Sequence, residues 1–259
     1  MKKILQKGEK PSVRTVNAGG KGLGLIVCDH SGVRVPKALK GLGISKKELH
    51  RHIGWDIGTE TIGLYLAKAL DMPAVFAEYS RLVVDVNRAP GYRECIIEES
   101  DHTVIPANRN LGKAARLQRM KEFYEPYHRE VKQQIDRFAR RGQKPLMLAV
   151  HSFTPEMDGK KRPWHIAVLW NDQKEIAQKV MRELKKNDPK MPIGSNHPYT
   201  LKTERYKGLT VYRHAVKRGL PYIFVEFRQD LVDTKPKAEK WARVFIRAIE
   251  PILKNHAAW

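Results

Sequence analysis

The chain predicts an α/β sandwich with a largely parallel sheet. Three observations carry the prediction. Short apolar runs of strand length recur, helical stretches separate them, and 259 residues suffice for one large core. No internal repeat or break in composition divides residues 21–259, which we read as one domain behind a flexible arm, residues 1–20.

The elements follow in order. The apolar run Leu23 to Cys28 reads as a buried strand, and Asp29-His30-Ser31-Gly32 ends it in a loop. Ser45 with Glu48 three residues on is a capping box that starts a short helix. Ile62, Leu64, Leu66, Ala67 and Leu70 mark a helical stripe over Thr59 to Leu70. Pro73 to Ala77 is a second strand. Residues 89–110, with Pro90, Gly91 and Pro106, form a long irregular segment of a kind that often carries function. Leu111 to Arg141 reads as helical, with a kink or break expected at Pro126. Pro145 to Val150 is a third strand and His165 to Trp170 a fourth. Asn171 to Lys186 is helical, and Leu209 to Tyr212 is weakly strand-like. Pro221 to Val225 is a strand, and Lys235 to His256 is the closing helix, with Trp241, Val244, Phe245, Ala248 and Ile252 on one face.

Composition narrows the class. No run of about 18 apolar residues exists, so no membrane span is expected, and the basic N-terminus lacks the apolar core of a secretory signal. Two cysteines, Cys28 and Cys95, are too few for a disulfide framework and suit a reducing cytoplasm. A net charge of +21 attracts anions and would permit loose nucleic-acid binding. The basic residues are dispersed, however, and aromatics are not interleaved with them as stacking platforms, so a solvated basic surface is the favoured reading.

Chemistry gathers at strand ends. Cys28 gives way to Asp29-His30, Val150 to His151, and Val225 to Glu226. Ligands of open parallel sheets bind outside the carboxyl ends of the strands. If these strands are parallel, His30, His151 and Glu226 can meet in one crevice. Two neutral histidines, a carboxylate and an open position describe a catalytic zinc site, and a second carboxylate serves as general base. The competing reading makes each histidine a satisfied structural group. His50 and His52 lie in a charged segment and read as surface, and Cys28 reads as core. The glycines at 19, 20, 22 and 24 precede a strand and miss the phosphate-loop and dinucleotide patterns.

The stretch Arg81-Leu82-Val83-Val84-Asp85-Val86-Asn87-Arg88 adds two guanidiniums around an apolar run. Such a fork binds a carboxylate bidentately. The alternative is a half-exposed strand with solvated charges.

Five motifs in order, Cys28-Asp29-His30-Ser31-Gly32, Trp55-Asp56-Ile57-Gly58, Tyr79 to Arg88, His151-Ser152-Phe153-Thr154-Pro155 and Glu226-Phe227-Arg228-Gln229-Asp230, resemble the N-formylglutamate amidohydrolase family from about residue 23 to about 250. That family is related to the zinc carboxypeptidases and to aspartoacylase and succinylglutamate desuccinylase. The resemblance implies a phosphorylase/hydrolase-like, three-layer α/β/α sandwich around a mixed sheet. It implies a cytoplasmic, zinc-dependent enzyme of amino-acid metabolism, with another divalent metal as the alternative to Zn²⁺. Its partner would be a small anionic N-acyl amino acid. It implies that Arg81 polarises the scissile carbonyl, that Asn87 and Arg88 hold the substrate carboxylate, and that Asp85 orients one of them. His30 and His151 would hold the metal, and Glu226 would act as general base. The related enzymes take a further ligand from a His-x-x-Glu motif, whereas this chain has Val33 at that place. Asp56 is the expected replacement, with Asp29 and Glu60 as rivals. Arg228 and Asp230 either support the pocket or form an ion pair. The expected reaction is hydrolysis of N-formyl-L-glutamate to formate and glutamate. The alternatives are an amidase for another N-acyl amino acid or peptide-like amide, and a basic nucleic-acid-binding module with a decayed site.

Overall fold

The computed structural model describes residues 3–204, 207 and 209–255. Its strands are β1 Val13–Val16, β2 Gly24–Cys28, β3 Ala74–Ala77, β4 Glu99–Ser100, β5 Thr103–Val104, β6 Leu146–Phe153, β7 Glu156–Met157, β8 Lys160–Lys161, β9 Ile166–Leu169, β10 Ile193–Ser195 and β11 Tyr222–Arg228. Its α-helices are α1 Lys46–Leu49, α2 Thr59–Ala69, α3 Lys113–Arg119, α4 Glu125–Ala139, α5 Lys174–Asn187, α6 Thr210–His214 and α7 Lys235–Lys254. Among the described residues one sheet has the order β1-β3-β2-β6-β11-β9-β10, and β4-β5 and β7-β8 are separate hairpins.

The sheet is mixed. β3, β2, β6 and β11 run parallel, as do β9 and β10, while β1 and β9 run antiparallel to β3 and β11. Strand alternation sorts the side chains into two cores. Ile26, Leu148, Val150, Ile223 and Val225 pack with α2, α5 and α7 through Leu66, Val180, Phe245 and Ile249. Leu25, Val27, Met147, Ala149, Tyr222 and Phe224 face the other layer, with Tyr127, Val131, Ile135 and Val211 from α4 and α6. That makes three layers, with both sheet faces covered, as near-continuous apolar strands require.

Several elements differ from expectation. β6 and β11 run on through His151 and Glu226, so these residues lie inside strands. Residues 3–20 are not the loose arm expected. Val13–Val16 is an edge strand, and the amides of Ile4 and Leu5 donate to the Glu122 carboxylate. Leu209 to Tyr212 is not a strand, because Thr210–His214 forms a turn and a half of helix that buries Val211 and His214. The expected break at Pro126 takes the form of a widened turn. The chain stays helical from Lys113 to Ala139, but Met120–Tyr124, just before Pro126, is wound wider, and the Glu125 amide reaches back to the Met120 carbonyl. The closing helix is described to Lys254, and its expected end at His256 lies outside the described residues. The Ser45 cap is as expected, its Oγ accepting from the Glu48 amide at 3.1 Å. No helix among the described residues is long and apolar enough to cross a membrane.

Candidate metal centre and substrate cavity

β2, β6 and β11 are parallel neighbours, so their carboxyl ends open on one rim. His151 pairs in register with Glu226, which sets both side chains on the α4 face of the sheet. His30 follows β2 in a turn, where its carbonyl accepts the Asp56 amide at 2.8 Å. That bond brings the residue 26 positions later beside it. Two residues on, Gly58 has φ +85°, and a Cβ there would lie 2.4 Å from the Val232 carbonyl oxygen, so glycine lets this turn pack against Val232 in the segment that follows β11.

The side chains then converge. Asp56 Oδ2 lies 3.3 Å from His30 Nδ1 and 2.9 Å from His151 Nδ1. The donor atoms of the three residues lie within 4.8 Å of one another. The far nitrogens are held by carboxylates. His30 Nε2 is hydrogen-bonded to Asp85 Oδ1 at 2.8 Å, and His151 Nε2 lies 3.2 Å from Asp29 Oδ2 as an ion-pair contact without hydrogen-bond alignment. Imidazoles that bind metal through one nitrogen use such partners to fix tautomer and ring orientation. Phe224 adds a third constraint, stacking on the His151 ring at 4.5 Å.

The donor set fits a divalent cation. Two imidazole nitrogens and a carboxylate oxygen suit zinc or a similar metal. The charges agree, since Asp29, Asp56 and Asp85 are all buried there and Arg81 supplies the compensating guanidinium. Burial pushes the Asp56 carboxyl up, but His30 and His151 outweigh it and hold it below its ordinary value. Burial likewise opposes ionisation of Asp85, and Arg81 and His30 hold it well below the usual range. Burial disfavours a charged His151, yet Asp29 and Asp56 raise it to about 10. The same anionic surroundings that draw a proton there favour a bound cation.

Arg81–Arg88 is a succession of turns and not a strand. Arg81 donates to Asp85 Oδ2 from Nε at 3.1 Å and from a terminal nitrogen at 2.6 Å, and its other arm lies 3.5 Å from Asp56 Oδ1. Asp85 Oδ1 also accepts the Asn87 amide at 2.8 Å. Asn87 Oδ1 accepts the Thr210 amide at 2.8 Å, and Arg88 donates to the Asn87 carbonyl at 2.8 Å. Val83, Val84 and Val86 are buried in the core, which fixes this loop against the rim.

A cavity of about 610 Å³ opens over these groups, and His30, Asp56, Arg81, Arg88, His151 and Glu226 line it. Glu226 is 5 % exposed, and its Oε2 has no hydrogen-bond partner. Burial pushes its carboxyl up to about 7, against the pull of His151. From the loop 89–110, Glu94, Ile97 and Ser100 reach the cavity wall.

One expectation needs correction, and two open choices are narrowed. His52, read as surface, lines the cavity. Glu60 pairs with Arg14, and Asp29 turns to the far nitrogen of His151, so neither joins the His30–Asp56–His151 cluster. Arg228 lies off the cavity lining, bonding Asp230 at 2.8 Å and the Arg162 and Pro163 carbonyls, so the ion pair is what the geometry gives. Sequence reasoning missed Phe224, which strand alternation places on the Glu226 face, and Tyr127, whose hydroxyl donates to Asp29 Oδ1 at 2.6 Å from 98 residues away.

The N-formylglutamate amidohydrolase family model matches residues 24–232, most of the chain and all of these groups. The chain belongs to the N-formylglutamate amidohydrolase family. It is therefore a hydrolase acting on amide bonds, and both the resemblance and the α/β fold class read from the sequence hold. A protein of Agrobacterium tumefaciens is similar over 96 % of this chain and 99 % of its own, with 27 % identity and TM-score 0.90. An N-formylglutamate amidohydrolase from Ralstonia eutropha shares the fold at 17 % identity and TM-score 0.72, over 95 % of this chain and 98 % of its own. A cell shape determinant protein of Helicobacter pylori shares it more distantly, at 13 % identity and TM-score 0.50, over 94 % of this chain and 55 % of its own. No curated protein sequence matches the chain.

Proposed function

We propose that this family member is a metal-dependent amidohydrolase that cleaves the amide of an N-acyl amino acid, with N-formyl-L-glutamate as the substrate its family points to. One observation carries the reading: the Nδ1 atoms of His30 and His151 both face Asp56 Oδ2, and Glu226 pairs in register beside His151. His30, Asp56 and His151 would hold Zn²⁺ or another divalent ion. Such an ion supplies Lewis-acid polarisation and makes water more acidic.

The chain's own residues do the rest. Glu226 accepts a proton from the attacking water and returns it to the leaving nitrogen. Its buried, unpartnered oxygen supports this role, because a carboxylate already engaged by donors would be a weaker base. Arg81 is held rigid by Asp85 and Asp56, so its guanidinium is oriented before substrate arrives and can stabilise the oxyanion. Asn87 and Arg88 bind the substrate carboxylate, and Asp85 orients Arg81 and the Asn87 amide. The closing products are an acid, such as formate, and an amino acid, such as glutamate.

The cavity favours a second substrate within the same class. N-formyl-L-glutamate fills the space of about seven waters, roughly 200 Å³. The cavity of about 610 Å³ leaves room for a larger acyl group or a peptide-like amide. The test is to measure bound metal and to assay N-formyl-L-glutamate and longer N-acyl amino acids with and without chelator. Undiminished hydrolysis by the metal-free protein would refute the metal-dependent mechanism.

A further inference from the structure

Helix α4 carries two adjacent polar residues that the hydrolytic steps do not use. Tyr127 turns toward the metal ligands through Asp29. His128 turns toward the Arg81–Arg88 turns. It is 3 % exposed, and its Nε2 is 2.9 Å from the Val86 carbonyl oxygen. Its Nδ1 is 2.9 Å from Nε2 of His214, which is 2 % exposed. His214 ends α6, and the first amide of that helix, Thr210, is the donor to Asn87 Oδ1. On its far side His214 Nδ1 faces the Arg218 guanidinium at 3.4 Å.

Counting donors fixes both tautomers. The Val86 carbonyl only accepts, so His128 Nε2 carries a hydrogen. In a neutral ring Nδ1 is then an acceptor, so His214 Nε2 must donate to it. His214 Nδ1 is left with a lone pair, and a guanidinium can only donate. A second proton on either ring would set two donors face to face. Burial agrees, pushing His128 down to about 4 and His214 down to about 2.

We infer that His128 and His214 are positioning residues that, as a neutral pair, tie α4 to α6 and hold Asn87 and Arg88 in place for the substrate carboxylate. The inference rests on the proposed reading of Asn87 and Arg88. The loop is gripped twice, at the Val86 carbonyl by α4 and at the Asn87 side chain by α6, and the histidine pair locks the two grips together. Without it, the Val86 carbonyl loses its partner and α6 can shift. A displacement of about 1 Å in a positioning group can cost roughly 10²-fold.

The test uses the full-length, metal-loaded chain. His128→Phe removes both bonds, while His128→Gln keeps a donor within reach of Val86. The substrates are N-formyl-L-glutamate and its α-carboxamide, which lacks the α-carboxylate assigned to Asn87 and Arg88 and keeps the γ-carboxylate. The expected result is a KM raised about tenfold or more by His128→Phe for the acid, with kcat nearly unchanged, little effect on the carboxamide, and partial recovery in His128→Gln. Nitrogen NMR of the unmutated protein at neutral pH should show both rings neutral and protonated at Nε2. An imidazolium or an Nδ1–H tautomer at either ring overturns the proposal, whether or not the Phe variant folds. So does an equal loss on both substrates. If neither substrate is hydrolysed by the unmutated chain, the N-formyl-L-glutamate assignment fails, and the NMR tautomers still decide the pair.

Discussion

Glu226→Gln isolates the general base. The residue sits inside β11, 5 % exposed, with strand pairing on both sides. Glutamine has nearly the same shape, and Oε2 makes no hydrogen bond that the amide would break. Fold and metal content should therefore be unchanged. What disappears is a proton acceptor, worth about 10² to 10⁴ in rate, or about 3–5 kcal/mol of barrier. The assay is steady-state hydrolysis of N-formyl-L-glutamate from about pH 5 to about pH 9, with metal stoichiometry measured on the same samples. Glu226 must be deprotonated to act, and burial raises its carboxyl to about 7. The unmutated enzyme should therefore gain activity as pH rises toward that value; a cation on the neighbouring ligands would move the limb lower. The variant should lose this limb along with most of its kcat. A kcat within about threefold of the parent, or a loss of metal in parallel with activity, would refute the assignment.

Arg88→Ala should raise KM for carboxylate substrates with a much smaller effect on kcat, because the contact is present before the reaction begins; an unchanged KM would place the carboxylate elsewhere. Arg119→Met should destabilise the protein by about 3 kcal/mol in urea unfolding. Arg119 is 1 % exposed and donates to the carbonyl oxygens of Val83 and Ala107 and to Asn108 Oδ1, so it fastens the loop that carries Arg81 and Asp85. A loss under about 1 kcal/mol would show that the loop is held by other means. The stability contributed by a neutral His128 should be lost with acidification, opposite in sign to the contribution of Glu226, whose raised carboxyl takes up its proton first in the folded protein. His128 titrates at about 4 in the folded protein and near its ordinary 6.5 when unfolded, so the unfolded chain binds the extra proton between those values. The loss should begin below about pH 6.5 and approach about 3 kcal/mol near pH 4. Comparison with His128→Gln tests this, because parallel pH curves for the two proteins would contradict it.

Much of the site was legible because its chemistry lies where apolar runs stop. The polar residues after Cys28, Val150 and Val225 marked three parallel strands, and His30, His151 and Glu226 do meet toward their carboxyl ends, although β6 and β11 run on through the last two. Arg81 to Arg88 stood out because a buried apolar run has no use for two guanidiniums. Asp56 was harder, since nothing local to it reveals that the His30 carbonyl captures its amide. Tyr127, His128 and His214 were invisible for the same reason: nothing local to them reveals partners that lie 42 to 98 residues away. In the fold, β1 and α6 misled because both are too short for periodicity to declare itself. Val13–Val16 becomes a strand by pairing with β3, and Thr210–His214 becomes helical by packing on α4.

The central claim is that His30, Asp56 and His151 share one divalent ion, and X-ray absorption at the metal edge of the purified protein tests it most directly. The expected spectrum shows two imidazole nitrogens and oxygen ligands at about 2.0–2.2 Å, with the imidazole signal reduced in His151→Ala. A spectrum without imidazole scattering, or one that His151→Ala leaves unchanged, would contradict the claim.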